Sequence, residues 1–296
     1  MDDVIALPKR ILLATDLSHR SDRALDRAAQ LAEQWQVALL AATALENEPS
    51  RALPHREPPW DERREVMEAH AQAARTLRHD LEGFGLEPLI RVGRGDPADF
   101  VLSLLEPGDL IVSGIARSRF LDAITLGSTT ERLVRRAAAP VLVVRQRARH
   151  AYRSVVVACD FSPTSARALR SALIAFPDAA CTLFHAVLPP LGGLVDGEST
   201  RQDLVRAARD EADAFLDALA LPEPEPDRAR LRVEAEYGAI DACLHGHIRD
   251  GGGDLVVVGT HGRSALFDIL IGSTARRVLE TVESDVLVIP EPRARN

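Results

Sequence analysis

Apolar and polar positions follow one arrangement along most of the chain. Residues 10–15 are a continuous apolar run that ends at Asp16, which is typical of a strand buried on both faces. Behind it, alanines and leucines at three- and four-residue spacing over residues 24–32 predict a helix that begins near Ser18 or Ser21. Apolar runs and helical stretches of this kind then alternate to the end of the chain.

The same alternation predicts the remaining elements. Further strands are expected at residues 37–43, 87–92, 109–113, 141–145, 154–159, 181–187, 231–236, 254–258 and 285–289. Further helices are expected at residues 61–82, after Asp96-Pro97, at 128–138, after Ser162-Pro163, at 200–219, near 239–249 and from about 273. Strands that alternate with helices predict parallel sheets covered on both faces, so we expect two doubly wound α/β domains of five strands each.

The chain also repeats its own sequence. Four blocks recur: residues 9–18 at 153–162, 109–114 at 254–259, 126–129 at 271–274, and 141–144 at 286–289. The offset is 144 positions for the first block and 145 for the other three, which is difficult to obtain by chance. We therefore interpret the chain as a tandem duplication, with one domain over residues 1–148 and a second over residues 149–296.

Composition limits the classes of function. The chain has a net charge of -8, which argues against a general nucleic-acid surface. Lys9 is the only lysine, so a phosphate-binding loop of the Gly-x-x-x-x-Gly-Lys type is excluded. The chain begins with two aspartates after Met1 rather than a basic and apolar leader, and no apolar run is long enough to span a bilayer. The 3 cysteines form no Cys-x-x-Cys pair, and together these features favour a cytoplasmic protein.

A glycine-bearing stretch follows the strand at residues 254–258. Gly259 and Gly262 let backbone approach a ligand closely, and Gly272, Ser273 and Thr274 open a helix whose N–H groups favour an anion. The stretch can thus bind phosphate. The other interpretation is that the glycines only make turns and that Ser273 only caps the helix.

These residues resemble the universal stress protein family over essentially the whole chain. The pattern that carries the resemblance is Gly259-Thr-His-Gly262, nine residues, then Gly272-Ser273. The resemblance implies an adenine nucleotide alpha-hydrolase-like fold with strand order 3-2-1-4-5. It also implies an ATP or AMP site, with a divalent cation such as Mg²⁺ or Mn²⁺ as an optional companion. In that site Gly262, Gly272, Ser273 and Thr274 would hold the phosphates.

The resemblance implies roles for the strand ends as well. Asp160, which follows Ala158 and Cys159, would lie near the ribose, the phosphates or a bound metal. Ala158 and Ala186 would flank the adenine, and Val258 with Gly259 would approach the base and ribose.

The first repeat departs from this pattern at one position. It keeps Gly114, the spacing, Gly127 and Ser128-Thr129, but Arg117 stands where the second glycine belongs. The arginine either fills the phosphate space and makes the site degenerate, which we favour, or pairs with phosphate. The strand-end residue Asp16 remains, so a weak or altered ligand stays open.

Other candidate residues give weaker indications of a functional site. Cys243, His245 and His247 alternate along a predicted helix, but 245 faces away from the other two and no fourth zinc ligand is evident. His261 either contacts phosphate or simply lies in a polar turn. His185 is expected to be a hydrogen-bonded structural residue at a strand end.

Three hypotheses remain for function, because no residue set specifies catalysis. The first is a binding module whose adenine nucleotide acts as a regulatory signal, the second is an interaction protein without nucleotide dependence, and the third is a slow ATPase. The last strands of the two repeats are apolar edges, which are hazardous when left open. As in the family, we expect the repeats to pair through these edges as a dimer within one chain, with a further homodimer left open.

Overall fold

The computed structural model describes residues 6–19, 21–45, 60–115, 127–187, 197–219, 221, 228–260 and 272–291. Within these residues the first repeat contains β1 Arg10–Ala14, α1 Asp22–Trp35, β2 Ala38–Leu45, α2 Trp60–Asp80, β3 Leu89–Arg94, α3 Pro97–Ser103, β4 Asp109–Gly114, α4 Ser128–Arg136 and β5 Val141–Val144. The second contains β6 Ser154–Ala158, α5 Pro163–Ala175, β7 Ala180–Val187, α6 Glu198–Ala218, a 3₁₀ turn at Arg228–Arg230, β8 Leu231–Tyr237, α7 Ile240–Arg249, β9 Leu255–Gly259, α8 Ser273–Thr281 and β10 Asp285–Ile289.

The strands of the described residues form one continuous sheet of 10 strands in the order β3-β2-β1-β4-β5-β10-β9-β6-β7-β8. Each repeat therefore has the predicted strand order 3-2-1-4-5, and within each repeat all neighbours are parallel. The predicted fold class is confirmed, and the structure adds that the two five-stranded sheets are joined. In each repeat the winding direction reverses between the first and fourth strands, where a ligand crevice is expected.

Helices cover both faces of the sheet. Side chains from α1, α2, α5 and α6 pack with one face, and side chains from α3, α4, α7 and α8 pack with the other. Much of this core is made of small and branched aliphatic residues, in keeping with an aromatic content of only 4%. Among the helices that the structure describes, none has both the length and the apolar character needed to cross a bilayer.

The two repeats meet where β5 and β10 pair in antiparallel fashion, with Leu142 opposite Leu287. Near this pair, the Trp35 indole of α1 donates a hydrogen bond to the Ala175 carbonyl of α5 at 3.0 Å. The strands of the second repeat run opposite to those of the first. The carboxyl ends of the two sets of strands therefore point in opposite directions. The two predicted sites are therefore far apart in the fold.

Candidate functional site

Each first strand ends in a turn that holds an aspartate. In the second repeat the Asp160 Oδ1 atom accepts hydrogen bonds from the Ser162 backbone N–H at 3.1 Å and the Ser165 hydroxyl at 2.7 Å. In the first repeat Asp16 Oδ1 accepts from the Ser18 backbone N–H at 3.0 Å and from the Ser21 hydroxyl at 2.7 Å. Both carboxylates expected at a ligand site are thus oriented by the same turn.

Sequence analysis missed the residue that orients each aspartate. Ser21 stands at the N-cap of α1, yet its hydroxyl makes no capping bond and instead donates to Asp16. The helix α5 does begin with the predicted cap, because Ser162 accepts from the Ser165 N–H. The recurring Asp-x-Ser-x-x-Ser pattern in the two repeats was the signal that could have identified these serines.

Backbone geometry in the two turns is unusual. Leu17 has φ of 60° and Phe161 has φ of 61°, and non-glycine residues rarely adopt this left-handed conformation. Each is held by the side chain two residues earlier: the Leu17 N–H donates to Thr15 Oγ1 at 3.1 Å, and the Phe161 N–H donates to Cys159 Sγ at 3.3 Å. Cys159 therefore has a structural role in the turn.

Electrostatics favour a charged aspartate in the first turn. Burial alone would raise the pKa of Asp16, but hydrogen bonds from Ser18 and Ser21 outweigh it and leave that pKa below its ordinary value. Asp16 is therefore ionised at neutral pH. It can accept hydrogen bonds from hydroxyl or amino groups of a ligand.

A cavity opens beside this turn in the first repeat. Its volume is about 160 Å³, and α3, α4 and the ends of β1, β2 and β4 surround it. The structure brings together the predicted first-site residues Asp16, Gly114, Gly127, Ser128 and Thr129. Arg117 lies outside the described residues.

In the second repeat the predicted residues are again distributed over neighbouring elements. Val157, one residue before the end of β6, pairs with Val257 of β9, so the strand ends that carry Ala158 and Val258 are adjacent. Ser273 and Thr274 are exposed at the start of α8. Of the other predicted site residues, Ala186 lies near the end of β7, Gly259 ends β9 and Gly272 precedes α8, whereas His261 and Gly262 lie outside the described residues.

Thr260 connects three parts of this second site. Its carbonyl accepts from the Gly272 N–H at 2.7 Å, its own N–H donates to Ile289 O at 2.9 Å, and its hydroxyl accepts from the Glu291 N–H at 3.1 Å. These bonds place the start of α8 beside the ends of β9 and β10. Sequence analysis did not find this role, because a single threonine in a loop carries no pattern.

The first repeat fixes its helix start differently. The Ser113 and Thr130 hydroxyls lie 2.9 Å apart, and the Thr130 hydroxyl donates to the Gly114 carbonyl at 2.8 Å. Both side chains are buried, and the corresponding residues of the second repeat are Val258 and Ala275. Side-chain hydroxyls thus join α4 to β4.

The cavity floor also differs between the repeats. Ala42 of β2 lines the first cavity, and the matching position on β7 is Phe184, by their registers with β1 and β6. Phe184 is fully buried, and its ring centroid lies 5.1 Å from that of His247. The base of the first crevice is therefore open where a large ring occupies the second.

Histidines and cysteines of the second repeat have structural contacts. His185 bonds through Nδ1 to the Cys159 carbonyl at 2.8 Å and stacks on Phe161, which agrees with the expected structural role. On α7, His245 bonds to the Thr281 carbonyl. In the part of the chain that the structure describes, no three His, Cys, Asp or Glu side chains are grouped in a way that could hold a metal ion.

Comparison with known proteins agrees with this architecture. The universal stress protein family pattern matches residues 8–145 and again 151–290. A universal stress protein from Methanocaldococcus jannaschii is 30% identical over 143 residues, which are 47% of this chain and 84% of that protein.

Two solved structures align with nearly the whole chain. A universal stress protein from Archaeoglobus fulgidus has a TM-score of 0.65 at 20% identity and covers 96% of this chain and 98% of its own. A functionally unknown protein from Pseudomonas aeruginosa has a TM-score of 0.64 at 21% identity and covers 96% of this chain and 93% of its own. At these identities the likeness establishes the fold.

Proposed function

The chain belongs to the universal stress protein family, and we propose on that premise that its second repeat binds an adenine nucleotide, ATP or AMP. Occupancy of the site would act as a regulatory signal. The observation that carries the proposal is the complete pattern Gly259-x-x-Gly262, nine residues, Gly272-Ser273, which follows a strand and opens a helix. The first repeat keeps every spacing but has Arg117 where the second glycine belongs. The second repeat is therefore the candidate for nucleotide binding.

The donors at the start of α8 suit a phosphate group. N–H groups in the first turn of a helix have no partner within the helix, and the helix dipole is positive there. Ser273 and Thr274 add two exposed hydroxyls at this end. These donors would hold phosphate by directional hydrogen bonds in a chain whose net charge of -8 repels anions overall.

The strand-end turn suits the sugar or a cation. Asp160 is held by Ser162 and Ser165 at the end of β6, next to the β9 end that leads into the glycine stretch. Carboxylate oxygens accept hydrogen bonds from ribose hydroxyls. They are also ligands that Mg²⁺ prefers. A Mg²⁺ or Mn²⁺ ion bound with the nucleotide would be held by Asp160 and the phosphates.

A nucleotide-release experiment tests the proposal. The purified protein is denatured and the released small molecules are identified, and ATP and AMP are then titrated into wild type and Gly262→Arg. We expect wild type to bind one nucleotide per chain and Gly262→Arg to weaken binding by roughly 100-fold, or about 2.7 kcal/mol. Gly246→Arg is the matched control, because a Cβ at Gly246 meets nothing within 4 Å.

The alternative is an interaction protein whose glycine turns are inherited but unused. Arg117 motivates it, since the first repeat tolerates loss of the motif. If wild type neither retains nor binds a nucleotide, this alternative replaces the proposal. ATP hydrolysis would become a function only if turnover co-purifies with the protein and falls in Asp160→Asn.

We further propose that the protein works in a reducing compartment such as the cytoplasm. The structure contains no disulfide among Cys159, Cys181 and Cys243. Burial raises the pKa of the Cys181 thiol to about 12, so this thiol stays protonated and unreactive. Mass analysis of protein purified without reductant tests this, and a disulfide would contradict it.

A further inference from the structure

The contact between the two repeats has local twofold symmetry. Leu142 of β5 pairs with Leu287 of β10, which is its own counterpart 145 positions later in the sequence. The flanking pairs are Val141 with Val288 and Val143 with Val286. A symmetric ladder of this kind is isologous, so β5 could pair equally well with β5 of a second copy, and β10 with β10. The strands alone therefore do not select the partner.

Side chains at one end of the ladder remove this symmetry. Asp285, at the start of β10, is 0% exposed, and its Oδ1 atom accepts the Arg145 N–H at 2.7 Å and the Gln146 N–H at 2.8 Å. Its Oδ2 atom accepts the Tyr152 hydroxyl and lies 3.4 Å from Nε of Arg27. Three of these residues, Arg27, Arg145 and Gln146, belong to the first repeat, whereas Tyr152 lies at the start of the second.

The opposite end of the ladder lacks these groups. Pro140 is the counterpart of Asp285, and Pro290 and Glu291 are the counterparts of Arg145 and Gln146. Pro290 has no N–H to donate, and the Glu291 N–H already donates to Thr260 Oγ1. The Glu291 side chain also carries the same charge as Asp285. On the neighbouring helix Ser171 is the counterpart of Arg27. Asp285 therefore has these N–H donors and the Arg27 cation beside it only when β10 pairs with β5.

We propose that Asp285 restricts the β10 edge to the first repeat and excludes a second copy of its own repeat. A β10–β10 ladder would bury two Asp285 carboxylates, each beside Pro290 and Glu291, without the N–H donors and the cation that they have now. A β5–β5 ladder would bury two Arg145 side chains without the nearby Asp285 charge and the Leu279 carbonyl acceptor that Arg145 has now. A buried charge without its partner is strongly unfavourable, so both symmetric pairings are disfavoured.

This selectivity has a consequence for the assembly. A repeat with the complete glycine pattern is always paired with a repeat that carries Arg117, and two complete repeats never pair through this edge. The partner that fits the surface is therefore the opposite repeat, within one chain or exchanged between two copies. This selectivity does not depend on nucleotide binding.

Cleavage of the folded full-length protein tests the selectivity. A protease site is placed in the joining segment at residues 147–151, which leaves Gln146 intact, and is cut after folding in two preparations that carry different mass labels. The cut proteins are mixed, dissociated in urea and allowed to reassociate by dilution, and native mass spectrometry identifies the pairs. We expect each pair to contain one first and one second repeat, in all combinations of the two mass labels. Pairs of like repeats at random frequency would overturn the proposal, as would failure of the halves to pair.

Two variants and a control identify Asp285 as the cause. In Asp285→Val we expect first–second pairing to weaken by roughly 30-fold or more, with second–second pairs appearing. Asp285→Asn, which keeps an acceptor and removes the charge, should show the same shift to a smaller degree if the valine variant folds poorly. The control is Asp254→Asn, because Asp254 accepts from the Arg153 and Ser154 N–H groups within one repeat. Unchanged selectivity in both Asp285 variants would contradict the proposal.

Discussion

The two repeats have the same strand order and the same Asp-x-Ser-x-x-Ser turn, yet each fixes its fourth-strand helix in a different way. In the first repeat the Ser113 and Thr130 hydroxyls join α4 to β4. In the second, Thr260 joins the start of α8 to the strand ends through backbone and hydroxyl bonds. The turn and the topology are therefore common to the fold, whereas the two copies diverged at the helix start.

The ligand crevices of the two repeats also differ. The first has an open base at Ala42 and a cavity of about 160 Å³, whereas Phe184 fills the matching place in the second. The second has the complete glycine pattern, and the first has Arg117 in it. Substitutions that change these features in either repeat can therefore test how strongly each difference affects stability or nucleotide binding.

The largest effect is expected from Phe184→Ala, which gives the second repeat the residue of the first. Phe184 is fully buried, so its removal leaves a cavity and should lower the free energy of unfolding by about 3–5 kcal/mol. Urea unfolding measures the change, with Phe184→Leu as a control that should lose less than half as much. A loss below about 1 kcal/mol would show that the second repeat collapses around the site.

A second nucleotide site is expected in Arg117→Gly, which restores the glycine pattern of the first repeat. If Arg117 blocks phosphate, calorimetric titration with ATP should show two sites per chain instead of one, with first-repeat affinity raised by roughly 100-fold, or about 2.7 kcal/mol. Arg147→Gly, in the exposed joining segment, is the control. A first repeat that binds ATP more weakly after the change would instead indicate that Arg117 pairs with phosphate.

A smaller effect is expected from Thr130→Ala, which removes the hydroxyl that joins α4 to β4. The change leaves the buried Ser113 hydroxyl and the Gly114 carbonyl without this partner, and should cost about 1–2 kcal/mol of stability. Thr281→Ala is the control, because the Thr281 hydroxyl donates within α8, to the Arg277 carbonyl. Equal losses in thermal unfolding of the two variants would argue against a special role for the Ser113–Thr130 pair.

The smallest effect is expected from Asp16→Asn, and it depends on pH. The pKa of Asp16 lies below its ordinary value of 3.8 in the folded protein, so the ionised carboxylate stabilises the fold above that value. This contribution is lost as pH falls through the lower, folded pKa. Since the Asp16 carboxylate is only partly buried, screening by solvent should keep its contribution to stability below about 1 kcal/mol. Urea unfolding at pH 7 and pH 3 measures it, and a difference between wild type and variant that does not shrink at pH 3 would contradict the assignment.

Much of the fold could be predicted because its determinants are local. Apolar runs identified the strands, and the Asp96-Pro97 and Ser162-Pro163 pairs identified the starts of α3 and α5. Helix ends were less accurate: α4 was expected to reach residue 138 and ends at Arg136, because Ala137 adopts an extended conformation. The candidate site was predicted as two strand ends and a helix start, and these elements do lie together.

The elements, the duplication and the residue types at the strand ends follow from the sequence alone, because spacing, capping and periodicity act over a few neighbouring positions. The contact of Thr130 with Ser113 and the burial of Asp285 against the Arg145 N–H depend instead on the tertiary structure. The last pair is separated by 140 positions, and nothing local in Asp285 distinguishes it from an ordinary strand start. Its role arises from the register of β5 and β10, which places a carboxylate against N–H groups at one end of an otherwise symmetric ladder.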